Sequence, residues 1–284
     1  MNRLVLIVIL ATGALGNDEV VTSDSTSPES ERSQINRTSR SAEECFKYGT
    51  LTKKHNDGTC YNSRSPHIVA IMMDDYLHCS GILISDRFVL TSVYHCLKHE
   101  PSQLKIRIGL GVDQDIKQIF RHPESGDLFT GVDLGLIELA APVKLNHALV
   151  PACLAQNNTE HLNENLIRSG FSGLQIFQHF ETTENRLMSF EECSAFMRKA
   201  FFLKVEQHQL CVELLEDFEG FDFWAPVQGL PGSSLQLTDS NGTCTTTIVG
   251  VGSRNHFGST NLIVYTRIAP FFNWIESIVW GQDS

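Results

Sequence analysis

The sequence predicts an all-β domain, either a barrel or a sandwich, with two helices toward its C-terminal end. Short apolar runs recur from residue 67 onward, turn-forming residues separate them, and no internal or heptad repeat is visible. A chain of 284 residues, 42% of them hydrophobic, can bury one large core of this kind. The predicted strands are 67–73, 79–84, 88–93, 104–110, 134–139, 245–251 and 262–268.

Two segments break the strand pattern and predict helices. The first covers residues 189–200, where Ser189 and Glu192 have the spacing of a capping box, in which each side chain bonds the other residue's backbone amide. The second covers residues 269–280, whose apolar side chains fall at helical spacing and form one stripe that can lie against the barrel. That stripe consists of Phe271 or Phe272, Ile275, and Ile278 or Val279.

The N-terminal residues predict a secretory signal followed by a polar leader. Residues 1–16 combine a basic Arg3, an apolar core and a small-residue end, which is the pattern of a cleaved signal peptide. The apolar run is about a dozen residues, shorter than the roughly 20 that span a bilayer, so we expect no membrane span. Residues 17–44 have few large apolar side chains and predict a flexible leader, which leaves residues 45–284 as the folded domain.

The composition of the chain predicts an extracellular location and argues against nucleic acid as a partner. Eight cysteines in an exported chain without a Cys-x-x-Cys pair predict disulfides, so we expect no metal and no other cofactor. Asn36, Asn157 and Asn241 begin Asn-x-Ser/Thr triplets and are candidate glycosylation sites on a secreted, extracellular protein. The net charge of −11 argues against nucleic acid as a partner, because phosphate binding requires clustered Lys and Arg.

Two neighbouring motifs resemble the chymotrypsin family of serine proteases. Residues 79–84, Cys-Ser-Gly-Ile-Leu-Ile, are similar to the family's Cys-Gly-Gly-Ser-Leu-Ile, and residues 87–96 are similar to its Trp-Val-Leu-Thr-Ala-Ala-His-Cys. Further matches follow in family order at residues 119–123, 132–137, 150–154 and 264–268. The resemblance covers residues 66–280 and implies a trypsin-like fold of two six-stranded antiparallel β-barrels with a C-terminal α-helix.

The resemblance also implies part of the disulfide pattern. Cys79 with Cys96, and Cys193 with Cys211, match family disulfides, while Cys153 with Cys45 resembles the bond that holds an N-terminal light chain. Cys60 with Cys244 follows only by elimination, and the last four cysteines by themselves allow three pairings.

His95 and Asp133 match two members of the family's catalytic triad, but Pro231 stands at the nucleophile position. Residues 228–235, Gln-Gly-Leu-Pro-Gly-Ser-Ser-Leu, lie where the family has Gly-Asp-Ser-Gly-Gly-Pro-Leu. Proline has neither a hydroxyl nor an amide hydrogen, so the attacking oxygen and one of the two oxyanion donors are both missing. The resemblance therefore implies a protease homologue that does not cut, in which His95 and Asp133 form a hydrogen-bonded pair.

The specificity pocket departs from the family pattern as well. Ala225 stands six residues before the nucleophile position, where an acidic residue would attract Arg or Lys side chains. Gly229, Ser253 and Arg254 are the other remnants of this pocket, and Arg254 places a charge where the family has an apolar wall. The resemblance therefore implies that peptide binding in the usual groove is lost.

The activation switch of the family is also missing. Leu230 replaces the aspartate that pairs with the new amino terminus, and residues 54–58 do not match the Ile-Val-Gly-Gly terminus. Without that ion pair, cleavage supplies no differential interaction that could reorganise the site.

These observations favour a secreted, non-catalytic serine protease homologue of the arthropod type. We expect it to act as a cofactor, scaffold or decoy in an extracellular immune or clotting cascade, with secreted proteins, including proteases or zymogens, as partners. One alternative is an active endopeptidase with a displaced nucleophile, Ser233 or Ser234. Another is a ligand-binding module around Ala225 and Arg254, and the acidic segment 213–223 is a candidate partner-facing loop.

Overall fold

A computed structural model describes residues 39–52, 65–109, 111–125, 132–157, 166–172, 179–214, 231–238, 244–255 and 262–281. The strands within these residues form two sheets. The first sheet contains β1 (Ile68–Met73), β2 (Tyr76–Leu83), β3 (Phe88–Thr91), β4 (Leu104–Ile108), β5 (Val112–Gln114), β6 (Ile116–Arg121) and β7 (Gly135–Leu139). The second contains β8 (Cys153–Leu154), β9 (Leu166–Ser172), β10 (His179–Leu187), β11 (Gln209–Leu214), β12 (Ser234–Thr238), β13 (Thr246–Asn255) and β14 (Leu262–Arg267). The α-helices are α1 (Arg40–Leu51), α2 (Val93–Cys96), α3 (Phe190–Phe201) and α4 (Phe272–Val279), and 3-10 turns cover Pro101–Gln103 and Ala269–Phe271.

Each sheet forms a barrel of six antiparallel strands. The seventh strand is half of a bent strand in the first sheet and a short addition in the second. In the first, the order is β5-β4-β1-β2-β3-β7-β6, and Asp115 alone separates β5 from β6, so these two are halves of one bent strand. In the second, β12 pairs with both β9 and β13 and closes the ring, and β8 adds a two-residue parallel edge. The fold expected from the sequence, two barrels and a C-terminal helix, is confirmed.

One apolar cluster joins the two barrels to the C-terminal helix. Ile82 and Leu90 of the first barrel are buried with Val251 of the second, and Phe272 and Ile275 of α4 complete the cluster. Burial of this stripe of α4 confirms the predicted packing of the helix, although its first turn, Ala269–Phe271, is a 3-10 turn. Among the described residues, none of the helices is both long and apolar enough to span a bilayer.

The capping box predicted for α3 is present. The Ser189 hydroxyl accepts a hydrogen bond from the Glu192 amide at 3.1 Å, and the Glu192 carboxylate accepts one from the Ser189 amide at 2.9 Å. The helix therefore begins at the residue that the sequence indicates.

Helix α1 corrects the predicted end of the leader. The sequence predicts a flexible segment up to residue 44, but α1 begins at Arg40 with Ser39 as its cap. The helix is held by tertiary contacts: the Ser41 amide donates to Glu276 Oε1 at 3.1 Å, and the buried Tyr48 hydroxyl donates to the Ile84 carbonyl at 3.2 Å. The folded part of the chain therefore starts about five residues earlier than composition suggests, because composition does not report contacts with α4.

Three disulfides link the described residues in the pairings that the resemblance implies. They are Cys45–Cys153, Cys79–Cys96 and Cys193–Cys211. Cys244 is disulfide-bonded as well, and Cys60, the one cysteine left among the eight of the sequence, lies outside the described residues. The first disulfide attaches α1 to β8 of the second barrel.

Candidate functional site

Asp133 forms a hydrogen-bonded link between the two barrels. Its carboxylate is 6% exposed, and Oδ1 accepts a hydrogen bond from the Tyr94 amide at 2.6 Å. Oδ2 accepts from the Ser92 hydroxyl at 2.6 Å and from the Ser253 hydroxyl at 2.8 Å. Ser92 and Tyr94 belong to the first barrel, whereas Ser253 lies on β13 of the second. An ionised carboxylate accepts about four hydrogen bonds, so these donors use most of its capacity.

His95 lies in the short helix α2, directly before the disulfide-bonded Cys96. Its amide donates to the Ser92 hydroxyl at 3.4 Å, and its half-buried ring packs edge-on against the Tyr94 ring with centroids 4.8 Å apart. Ser92 thus caps α2 and bonds Asp133 with the same hydroxyl group.

Ser92 is the site residue that the sequence argument missed. The quoted family pattern has two residues between its Thr and His, whereas this chain has three between Thr91 and His95. The insertion marks a departure from the family pattern between Thr91 and His95, but nothing in the sequence indicates that Ser92 bonds Asp133, 41 residues away.

Two further histidines lie beside His95. The rings of His78 and His99 meet edge-on with centroids 5.4 Å apart, and a backbone hydrogen bond connects His78 to His95. Burial, and then the nearby charge of His99, lower the pKa of His78 below its usual value, while the bond to His95 opposes the shift. The environment beside the site therefore favours the neutral form of the His78 ring.

The turn that carries Pro231 is bonded to both barrels. The Pro231 carbonyl accepts a hydrogen bond from the Ser80 amide of β2 at 2.9 Å. The Gly232 amide donates to the Gly252 carbonyl at 2.7 Å, and the Gly252 amide donates to the Ser233 carbonyl at 2.7 Å. Because Gly252 precedes Ser253, the partner of Asp133, strand β13 connects this turn to Asp133.

Ser233 and Ser234 both lie in the interior, with side chains 0% exposed. The Ser233 Oγ atom has no hydrogen-bond partner among the described residues, and it lies 2.5 Å from where a Cβ on Gly252 would stand. The Ser234 hydroxyl lies 2.8 Å from Gln236 Oε1 and 3.2 Å from the Ser169 carbonyl. Both hydroxyls therefore lie away from solvent.

Gln236 belongs to a buried polar network at the seam between the barrels. His67 Nε2 donates to Gln236 Oε1 at 2.8 Å, and Gln236 Nε2 donates to the Ser65 hydroxyl at 3.3 Å. The Ser65 hydroxyl in turn donates to Ser169 Oγ of β9 at 2.7 Å. The bond to Gln236 Oε1 requires that the neutral His67 ring carries its proton on Nε2.

We expect acid to destabilise the fold through His67. Burial lowers the pKa of His67 to about 4, and the bond to Gln236 opposes this shift. Between about pH 6.5 and pH 4 the unfolded chain binds a proton that the folded chain does not, so the free energy of unfolding decreases as the pH falls. The loss is about 3 kcal/mol across the window and is absent above it.

Urea unfolding at pH 7 and pH 4.5 measures this loss, with His67→Gln as the control because a glutamine amide can keep the bond to Gln236 without titrating. We expect the variant to lose less stability than the wild type on acidification. Equal losses in the two proteins would assign the acid sensitivity to other groups.

The remaining site predictions fall partly outside the described residues. Ala225, Gly229 and Leu230 lie outside them, as do the candidate glycosylation sites Asn36 and Asn241. Arg254 pairs with Val264 through the backbone of β13. Asn157, the third glycosylation candidate, is exposed. Of the acidic segment 213–223, residues 213 and 214 end β11 and the rest is not described.

Comparison with known proteins identifies the family. The trypsin family model matches residues 56–275. Mouse vitamin K-dependent protein C is 26% identical over 81% of this chain and 51% of its own length, and the clotting factor G beta subunit of Tachypleus tridentatus is 26% identical over 72% of each. CLIP domain-containing serine protease C9 of Anopheles gambiae is 24% identical over 71% of this chain and 60% of its own length.

A solved structure agrees with this assignment at the level of the fold. Kallikrein-related peptidase 10 superposes with a TM-score of 0.60 and 23% identity, covering 77% of this chain and 97% of its own. The chain spans about half of the length of mouse protein C, so the match concerns that half of the relative. Because the family model covers most of the sequence and the two barrels agree with it, the chain belongs to the trypsin family.

Proposed function

We propose that this chain is a secreted, non-catalytic member of the trypsin family that regulates an extracellular protease cascade. The proposal rests on the turn before β12. Pro231 takes the nucleophile position there, and the two serines that follow Gly232 are fully buried. Backbone bonds to Ser80 of the first barrel and Gly252 of the second hold this turn in place.

The substitution removes two functions of the nucleophile residue together. A serine supplies the hydroxyl oxygen that attacks the substrate carbonyl, and its amide is one donor to the oxyanion. Loss of one such donor alone lowers the rate by roughly two to three orders of magnitude. A proline at this position has no hydroxyl and no amide hydrogen, so His95 has no nucleophile there to deprotonate.

The buried serines are poorly placed to replace the missing nucleophile. An attacking oxygen must come within about 3 to 3.5 Å of the substrate carbonyl, and it needs a base within hydrogen-bond reach. Ser233 Oγ packs against Gly252, while the Ser234 hydroxyl lies within hydrogen-bond distance of the Ser169 carbonyl and Gln236 Oε1. Either serine would have to leave the interior to react, which favours a non-catalytic function over an endopeptidase with a displaced nucleophile.

The names of the relatives support an extracellular protease cascade as the setting of this function. Their names include a clotting factor subunit of a horseshoe crab and a CLIP domain-containing protease of a mosquito. A homologue that keeps the two barrels but lacks the nucleophile can bind the proteins with which active proteases interact, without cleaving them. We therefore expect secreted proteins, among them proteases or their zymogens, as partners. The predicted signal peptide and the disulfides agree with an extracellular location.

Depletion and replacement test this function. The protein is removed with an antibody from the extracellular fluid in which it occurs, and cascade protease activity is followed with a chromogenic peptide before and after the protein is added back. We expect depletion to change the rate, and wild type and Ser233→Ala to restore it equally, because neither supplies a nucleophile. An unchanged rate after depletion would reject the regulatory role, and a folded Ser233→Ala chain that fails to restore the rate would point to catalysis.

A further inference from the structure

Helix α3 and the segment after it border an open groove on the second barrel. Its volume is about 950 Å³. Helix α3 packs against β11 through Cys193 and Met197, and its opposite side borders the groove. The lining combines apolar side chains, Phe190, Phe202, Leu203 and Val205, with charged ones, Glu191, Arg198, Lys199 and Lys204.

Phe202 is the unusual residue of this groove. It is 91% exposed and ends α3 with φ 56°, in the left-handed region that favours glycine or asparagine. Its amide donates to the Arg198 carbonyl at 3.2 Å, and the Leu203 amide donates to the Met197 carbonyl at 3.2 Å, so this conformation closes the last turn of the helix. A phenylalanine here exposes apolar surface to water, and its Cβ makes the left-handed backbone conformation unfavourable. The stability of the isolated fold therefore does not explain why phenylalanine occupies this position.

The charges around Phe202 are mostly positive. Arg198 and Lys199 are exposed on the last turn of α3, and Lys204 follows with a surface ion pair to Glu206 at 2.9 Å. Glu191 is the acidic residue among the lining, at the other end of the helix. On a chain with a net charge of −11, Arg198 and Lys199 beside one exposed aromatic ring form a local positive surface, to which Lys204 adds less because Glu206 offsets its charge.

We propose that this groove, the α3 groove, binds an acidic peptide segment of a partner protein that inserts an apolar side chain beside Phe202. Arg198, Lys199 and Lys204 would pair with the carboxylates, and the rings and aliphatic chains of the lining would cover the apolar anchor. The inference goes beyond the proposed function, because the groove shares no residue with the triad remnants and does not depend on whether the chain cleaves peptides.

The shape and charge of the surface favour a peptide over two other occupants. A flat lipid surface would leave the groove beside the 91% exposed Phe202 ring unfilled, whereas a peptide segment can occupy it. The net charge of −11 also opposes approach to an anionic membrane. A second copy of the chain would carry the same net charge, which disfavours association at low salt.

Selection of random 12-residue peptides displayed on phage, with the full secreted chain as bait, tests this proposal. We expect the enriched peptides to be acidic and to contain an aromatic or aliphatic residue. Phe202→Gly and Lys199→Glu should each weaken binding of the synthetic peptides by about tenfold or more. Binding should also weaken as salt rises, because exposed charge pairs are screened. Phe202→Gly suits a glycine-favouring position, so its melting temperature should not fall.

Matched variants elsewhere on the surface serve as controls. Phe46→Ala removes a side chain that is 79% exposed on α1, and Lys144→Glu reverses an exposed charge on the loop after β7. Both should bind the peptides like the wild type. The proposal is overturned if the enriched peptides show no excess of acidic residues, or if the two groove variants bind them unchanged. It is also overturned if the wild type binds phosphatidylserine vesicles, or forms a dimer as its concentration rises, and Phe202→Gly abolishes that behaviour. Either result assigns the surface to another occupant.

Discussion

Gly232→Ala is expected to destabilise the fold by at least about 4 kcal/mol, a loss that few single substitutions reach. Gly232 has φ +83°, and a Cβ added to it would lie 1.9 Å from the Ser80 carbonyl oxygen and 2.4 Å from Thr91 Oγ1. The Ser80 oxygen belongs to the backbone of β2, next to the disulfide-bonded Cys79, so it cannot move without disturbing the barrel. Much of the 5–15 kcal/mol stability of a typical domain would be lost.

Gly109→Ala is the matched control for this substitution. Gly109 also has a positive φ, +56°, but a Cβ there would meet no atom within 4 Å. Gly109→Ala should therefore lower the free energy of unfolding by only about 1 to 2 kcal/mol, the cost of holding an alanine in the left-handed conformation. Urea unfolding of the oxidised proteins, followed by far-UV circular dichroism, measures both losses. Similar losses in the two variants would show that contact with Ser80 does not hold the turn in place.

The double variant Cys45→Ala, Cys153→Ala is expected to lose about 4 kcal/mol, because the disulfide closes a long loop in the unfolded chain. The two cysteines are separated by 108 residues. Within that loop, the Cys79–Cys96 disulfide already restrains part of the chain, so the loss should be somewhat below the full loop-closure value.

Chemical unfolding of the purified chain measures this effect, and Thr50→Ala serves as the control because Thr50 is exposed on the same helix. The control should unfold within about 0.5 kcal/mol of the wild type, as surface substitutions usually do. A double variant as stable as the control would mean that the contacts of Ser41 and Tyr48 with the barrels hold α1 without the covalent bond.

Much of the fold follows from local signals in the sequence. The apolar strands of the first barrel alternate with turn residues, and the capping box fixes the start of α3. The second barrel was harder to predict because several of its buried side chains are polar. Arg168, Asn185 and Gln236 are at most 4% exposed, so β9, β10 and β12 lack the continuous hydrophobic pattern that identifies a strand.

The site was only partly predictable for a related reason. His95, Asp133 and Pro231 follow from the resemblance to the family, because each lies within a motif of fixed order. Ser92 and the network of His67 with Gln236 depend on contacts between residues far apart in the sequence, 41 positions for Ser92 with Asp133 and 169 for His67 with Gln236. Sequence spacing alone does not report such contacts.

Labelling with a fluorophosphonate probe shows directly whether the site has a working nucleophile. The purified chain is treated with the probe before and after limited trypsin treatment, and active trypsin serves as the positive control. We expect no labelling in either state, because Pro231 provides no hydroxyl and Ser233 and Ser234 are buried. A covalent adduct mapped to Ser233 or Ser234, and lost in the corresponding alanine variant, would contradict this expectation and identify the protein as an active hydrolase.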